Sequence, residues 1–229
     1  MKAARPAAAT GPGASAGYDF EPVWVVGIRL LAGYVRIHFR LRVAGLEHLP
    51  RSGPALVVAN HVSYLDPVVL IVVGQRAGRR MRFLGVQEAF ERPVSGFILR
   101  AGRHIPIGTE APDRMLAVRR ARDVLQRGEV VLIYPEGTIT RDGEQPDAHG
   151  GAGLLALTSG VPVIPIRHWG LERGAAPWWH RRRAAVTVGP PVDLTPASAV
   201  TGRRRYEVAS SLALDAVRAL TPPPVRSPG

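Results

Sequence analysis

Short apolar runs bounded by turn residues alternate along the chain with stretches of helical periodicity. FRLRVAGL (39–46), ALVVAN (55–60), MRFLGV (81–86), EVVLIY (129–134), VPVIPI (161–166) and AAVTVG (184–189) are aliphatic or β-branched and are predicted to be strands. Between them, residues 111–127 place Leu116, Val118, Ala121, Val124 and Leu125 against an arginine-rich face and stop at Gly128. This alternation predicts an α/β domain with a largely parallel or mixed sheet flanked by helices. Ligands of such sheets bind beyond the carboxyl ends of the strands, so the polar residues after each run are the candidates for chemistry.

The stretch PVWVVGIRLLAGYVRIHF (22–39) is strongly apolar but is interrupted by Arg29 and Arg36. It therefore lacks the roughly 18 uncharged residues of a spanning helix. Arg29, Arg36 and Arg40, spaced by seven and four, share one stripe of a helix, with Trp24, Leu31 and Val35 elsewhere. An amphipathic helix over 18–40 lying in a membrane interface fits this pattern, as does a helix packed on the core with arginines reaching into water. Residues 1–17 and the end TPPPVRSPG (221–229) read as disordered tails, leaving one domain over 41–220.

Composition narrows the chemistry. The 229 residues contain no cysteine, which removes thiolate nucleophiles, disulfides and cysteine metal sites. A net charge of +12 and a pI near 11.3 imply an anionic partner, whether acidic lipid, phosphorylated substrate or nucleic acid. Lys2 is the one lysine, so coding bias explains arginine in place of lysine but not the excess of bases over acids.

Two polar stretches come directly after apolar runs. In NHVSYLD (60–66), His61 and Asp66 lie about 140° apart on a regular helix and can meet only if the intervening residues turn. On these residues alone the stretch is either a catalytic pair or a polar turn in which Asp66, followed by Pro67, caps the next helix. In YPEGT (134–138), Pro135 stops the strand, Gly137 permits a tight turn, and Glu136 and Thr138 present a carboxylate and a hydroxyl.

Together with SGVPVIPI (159–166), and in this order, these blocks resemble the His-x4-Asp, F-P-E-G-T-R and Val-Pro-Val-Ile-Pro motifs of the glycerolipid acyltransferase family, which includes bacterial 1-acylglycerol-3-phosphate acyltransferase. The resemblance covers roughly residues 40–190. It implies that His61 is a general base for an acceptor hydroxyl, that Asp66 orients it, and that Glu136, Gly137 and Thr138 contribute to substrate binding. It further implies an acyl-CoA or acyl carrier protein donor, a lysophospholipid acceptor, no cofactor or metal, and a peripheral or monotopic position at an anionic membrane surface on the cytoplasmic face of the cell membrane.

The chain departs from the family pattern at two arginines. Gly108 and Thr109 stand where the second motif has a phosphate-binding arginine, and Ile139 stands in the third motif. Arg100, Arg103 and Arg141 are the nearby substitutes. The departures leave open a non-phosphate lipid or glycolipid acceptor. In HWGLERGAAPWWHRRR (168–183), Trp169, Trp178 and Trp179 interleave with Arg173, Arg181, Arg182 and Arg183, which suits a bilayer interface or stacking on single-stranded nucleic acid. A nucleic-acid-binding protein would leave the motif blocks unexplained, so no nucleic acid is expected. No G-x-S-x-G elbow supports a hydrolase.

Overall fold

The runs ALVVA (55–59) and VVLI (130–133) have no polar position on either face, the pattern of parallel strands covered on both sides. Both lie in the middle of the sheet. The computed structural model describes residues 22–140, 148–172 and 181–224. In chain order the elements are α1 (Pro22–His38), β1 (Phe39–Ala44), a short 3-10 turn (Leu46–His48), β2 (Ala55–Ala59), α2 (Asp66–Arg76), β3 (Met81–Val86), α3 (Gln87–Glu91), α4 (Pro93–Ala101), β4 (Ile105–Ile107) and α5 (Ala111–Gln126). After these come β5 (Val130–Ile133), α6 (Gly150–Ser159), β6 (Val163–Trp169), β7 (Arg182–Val188), α7 (Thr195–Ser198) and α8 (Arg204–Ala219).

The strands are ordered β1-β7-β6-β2-β5-β3-β4, and every neighbouring pair is parallel except β6 with β7. A mixed sheet results, as the alternation of runs predicts. Side chains alternate between two cores with the period of the pleat. Val57, Ala59, Val130, Leu132, Ile164 and Ile166 pack with α1 and α2, whereas Leu56, Val58, Val131, Ile133 and Val163 pack with α5, α6 and α8. Each large aliphatic side chain buried in this way contributes about 1.5–3 kcal/mol.

Two buried groups tie the amino-terminal edge together. Arg79, 1% exposed, donates to the carbonyls of Pro50, Gly53 and Gly128, so one guanidinium joins the loops that lead into β2 and β5. Nearby, His104 Nδ1 accepts the Phe83 N–H at 3.2 Å. Burial, with Arg80 and Arg82 alongside, lowers the His104 imidazole from its usual 6.5 to about 3.

A histidine neutral when folded but protonated when unfolded stabilises the fold fully above pH 6.5, and that contribution falls as pH drops toward 3. The loss should reach about 2 kcal/mol by pH 5. The melting temperature of wild type relative to His104→Gln should therefore decrease on going from pH 7.5 to 5, about 2 kcal/mol converting to several degrees. A pH-independent difference would remove His104 from the acid response.

α1 carries features of both readings of the N-terminal helix. Trp24, Ile28 and Val35 are buried in the core, with the Arg80 guanidinium 4.5 Å above the Trp24 ring. Val26, Leu30, Tyr34 and Ile37 form an exposed apolar stripe flanked by Arg29 and Arg36. Arg40 does not extend this stripe, because the helix ends at His38 and Arg40 belongs to β1. Residues 18–21 and the segment 1–17 lie outside the described residues, as do 225–229. Residues 221–224 rest on the domain: Thr187 Oγ1 donates to the Thr221 carbonyl at 2.8 Å, and Pro223 is buried.

Candidate active site

β2 and β5 are adjacent and parallel, so the polar residues beyond them emerge side by side at the carboxyl edge of the sheet. After Asn60 the chain turns before entering α2, and this turn brings His61 and Asp66 together. His61 Nδ1 lies 2.9 Å from Asp66 Oδ2, which also accepts the N–H groups of Val62 at 2.6 Å and Ser63 at 2.8 Å. Because Oδ2 is the acceptor, Nδ1 carries the proton and Nε2 presents a lone pair. Nε2 has no hydrogen-bond partner among the described residues, and the His61 side chain is 17% exposed while that of Asp66 is fully buried.

Asp66 is not the helix cap that its place before Pro67 predicts. Leu65 occupies the N-cap, and Asp66 is the first residue of α2. Its carboxylate points back over the turn, where a single oxygen collects all three donors, while Oδ1 is buried without a partner among the described residues. The carboxylate thus organises the loop in front of the helix instead of the helix itself.

The β5 end closes over this turn. Glu136, 5% exposed, accepts the His61 N–H at 3.0 Å and the Thr140 hydroxyl at 2.7 Å through Oε2, and the Thr140 N–H donates to the His61 carbonyl at 2.7 Å. Glu136 therefore clamps the main chain of His61. Thr140 supplies the hydroxyl that sequence reasoning assigned to Thr138, which is exposed two positions earlier. Gly137 has φ +70° and sits so close to His149 that a Cβ would lie 2.6 Å from its Cδ2. His149 N–H bonds the Pro135 carbonyl at 2.8 Å, tying the loop to the start of α6.

Tyr134 forms a platform for the imidazole, its ring stacked on His61 with centroids 4.1 Å apart and planes 14° from parallel. Burial, with Asp66 adding to it, raises the phenol well above its ordinary 10, so Tyr134 is neutral throughout the working pH range. β6 adds a residue that sequence reasoning placed only within an interfacial segment. His168, 1% exposed, has Nε2 2.7 Å from the Asn60 carbonyl and 3.6 Å from Asp66 Oδ2. A histidine just beyond the apolar run VPVIPI was the available signal.

Of the predicted substrate arginines, Arg100 and Arg103 do not gather here. Register carried across β4, β3, β5 and β2 sets Arg103 level with Leu56, three strands from β2 and five residues short of His61. At ~3.3 Å per residue and ~4.8 Å per strand the backbones are roughly 20 Å apart. Arg100 donates to the Phe90 carbonyl at 2.6 Å, and both arginines line a cavity of about 480 Å³ with Gln87, Phe90, Glu91, His104 and Pro106, a group that excludes His61.

Arg141 lies outside the described residues, as do Arg173, Trp178 and Trp179. Arg181 and Arg182 are engaged with the protein itself: Arg181 donates to the carbonyls of Arg36 and Phe39, and Arg182 to that of Glu172. At the vacated second-motif position, the guanidinium of Arg114, in the first turn of α5, donates to the Thr109 carbonyl. Sequence reasoning missed Arg114 because it lies five residues past the motif and joins it only through the helix turn. No cluster of side chains able to hold a metal ion occurs among the described residues.

Known proteins share the sequence pattern and the fold. The family model described as Acyltransferase matches residues 40–169. The chain is 27% identical over 182 residues to the chloroplastic 1-acyl-sn-glycerol-3-phosphate acyltransferase LPAT1 of Arabidopsis thaliana, an overlap of 77% of this chain and 50% of that one. It is 34% identical over 128 residues to the lyso-ornithine lipid O-acyltransferase of Pseudomonas aeruginosa, covering 56% and 46% of the two chains.

The chain spans about half the length of the curated relatives it matches, 50% for LPAT1 and 52% for a Brassica napus counterpart. Among solved structures, the 1-acyl-sn-glycerophosphate acyltransferase PlsC of Thermotoga maritima shares the fold at 21% identity, with a TM-score of 0.59 over 85% of this chain and 80% of that one.

Proposed function

This chain belongs to the acyltransferase family, and on that premise we propose that it moves a fatty acyl group from acyl-CoA or acyl carrier protein to the free hydroxyl of a lysophospholipid, with 1-acylglycerol 3-phosphate the foremost acceptor. The observation that carries this reading is the His61–Asp66 pair, with Nδ1 held by the carboxylate at 2.9 Å and Nε2 open at the carboxyl edge of the sheet. Nε2 takes the proton of the acceptor hydroxyl as that oxygen attacks the thioester carbonyl. The carbon–oxygen bond forms, the carbon–sulfur bond breaks, and the imidazolium returns the proton to the departing thiolate. Asp66 stabilises the imidazolium while it lasts. The route needs no acyl-enzyme, in keeping with a chain that has no cysteine.

The acceptor divides two readings. Two chloroplastic relatives bear the name 1-acyl-sn-glycerol-3-phosphate acyltransferase, and Arg114 sets a guanidinium near the vacated motif position, which supports a phosphate acceptor. Thr109 in place of the family arginine and the likeness to a lyso-ornithine lipid O-acyltransferase favour an acceptor without phosphate. Purified protein supplied with one thioester and both acceptors in competition distinguishes them by product: phosphatidic acid in excess supports the first, acylated ornithine lipid in excess the second, and neither product refutes both.

Position at a membrane is part of the same proposal. No helix among the described residues is long and apolar enough to cross a membrane. The exposed stripe of α1, with Leu30 70% and Ile37 66% exposed, combines with Val94, Phe97 and Ile98 on α4, which touches α1, to offer an apolar surface on a protein of net charge +12. Such a surface lies on the acyl boundary with its arginines toward phosphates, here at the cytoplasmic face of the cell membrane. Leu30→Glu with Phe97→Glu should weaken cosedimentation with anionic vesicles by about tenfold or more at an unchanged melting temperature, since both side chains face water in the isolated protein. Undiminished cosedimentation would place the membrane contact elsewhere.

A further inference from the structure

His61 comes directly after Asn60, and Asn60 is held on both its side chain and its main chain. Its side-chain amide pairs with both main-chain groups of His168: Asn60 Nδ2 donates to the His168 carbonyl at 3.1 Å, and the His168 N–H donates to Asn60 Oδ1 at 3.0 Å. The amide thereby imitates one more residue of strand and continues the β2–β6 ladder after the backbone of β2 has turned away. The Asn60 carbonyl, freed from that ladder, is met by His168 Nε2 at 2.7 Å. A carbonyl only accepts, so Nε2 bears the proton and the ring is the Nε2–H tautomer.

We propose that His168 is a positioning residue for the His61–Asp66 pair: its main chain grips the Asn60 amide, its Nε2–H grips the Asn60 carbonyl, and the chain consequently leaves β2 with His61 Nδ1 aimed at Asp66. The same nitrogen lies 3.6 Å from Asp66 Oδ2, beyond a hydrogen bond but close enough for the N–H dipole to favour negative charge on that oxygen. Burial outweighs the pull of Asp66 and lowers the His168 imidazole below its ordinary 6.5. The second ring beside Asp66 is therefore neutral and leaves the carboxylate to His61. His168 touches neither substrate nor the reacting atoms, and its kinetic consequence rests on the acyl-transfer reading above.

The test pairs kinetics with nitrogen-15 NMR of histidine-labelled protein. His168→Leu, close in volume but without a donor, should lower kcat by about 10- to 100-fold through misplacement of His61. KM for thioester and acceptor should stay within about twofold, because no binding group is removed. His168→Gln, whose amide can donate to the Asn60 carbonyl, should recover kcat to within about threefold of wild type. In wild type the His168 ring should resonate as the Nε2–H tautomer, and the His61 Nδ1–H shared with Asp66 should give a downfield proton signal that persists in the Gln variant and disappears in the Leu variant.

The proposal is overturned by an Nδ1–H tautomer of His168 in wild type, by a folded Leu variant with unchanged kcat and His61 signal, or by a folded Gln variant as impaired as Leu. If the Leu variant does not fold, the wild-type tautomer and the Gln variant decide. If wild type transfers acyl groups to neither acceptor, the functional reading fails, and the NMR measurements still decide whether His168 positions His61.

Discussion

Replacing His61 with alanine should lower kcat for acyl transfer by about 10²- to 10⁴-fold, the range that a positioned general base supplies. KM for the thioester should change little, because Nε2 moves a proton from the acceptor hydroxyl to the departing thiolate during the reaction and is not needed to bind the thioester. Folding should survive: the ring is 17% exposed, and the main-chain bonds of residue 61 to Glu136 and Thr140 do not depend on its side chain. A melting temperature within a few degrees of wild type, together with the kinetic loss, is the expected pair of results. An alanine variant that keeps more than about a tenth of wild-type kcat would show that the proton leaves by another path.

Asp66→Asn should combine a kinetic and a structural loss. One oxygen of Asp66 accepts three N–H groups, from His61, Val62 and Ser63, in a fully buried position. An amide oxygen can take that place, but it carries no charge to stabilise the imidazolium, and its NH2 must occupy the Oδ1 position, where no acceptor awaits it among the described residues. Bonds to a charged acceptor contribute about 1.5–3 kcal/mol each, roughly twice those to a neutral one, so a loss of about 2–4 kcal/mol in unfolding free energy is expected. Lost orientation and charge together should reduce kcat by about 10²-fold or more. Chemical denaturation and steady-state kinetics on the same preparation measure the two effects. Full stability with reduced kcat would mean that Asp66 serves only the chemistry.

Much of this arrangement is legible in the chain because it depends on local pattern. ALVVA and VVLI have no polar position, so they can only be central strands, and central parallel strands deliver the loops at their carboxyl ends to one edge. That logic puts NHVSYLD and YPEGT at the same edge, and the pairing of β2 with β5 sets them side by side. The less legible part depends on where side chains turn once they arrive. The capping reading of Asp66 is sound for a residue before proline, but the His61 ring and the N–H groups of Val62 and Ser63 give the carboxylate three donors behind it. Thr138 and Thr140 are equivalent by sequence, and the loop geometry decides that Thr140 meets Glu136.

Arg100 and Arg103 are near the second motif along the chain but far from His61 in space, because sequence distance says nothing of the three strand spacings that separate β4 from β2. His168 was hidden by its neighbours: among tryptophans and arginines it looks interfacial, while the register places it against Asn60. Sequence thus identifies the pair proposed to do the chemistry more readily than the residues that hold the pair in place.

The most direct test is acceptor-dependent release of thiol from acyl-CoA and from acyl carrier protein by purified protein on anionic vesicles, comparing wild type with His61→Ala. The expected result is release that requires 1-acylglycerol 3-phosphate or another lysolipid and falls by about 10²-fold or more in the variant. Release that continues undiminished without His61, or no acceptor dependence with either donor, would contradict acyl transfer by the His61–Asp66 pair.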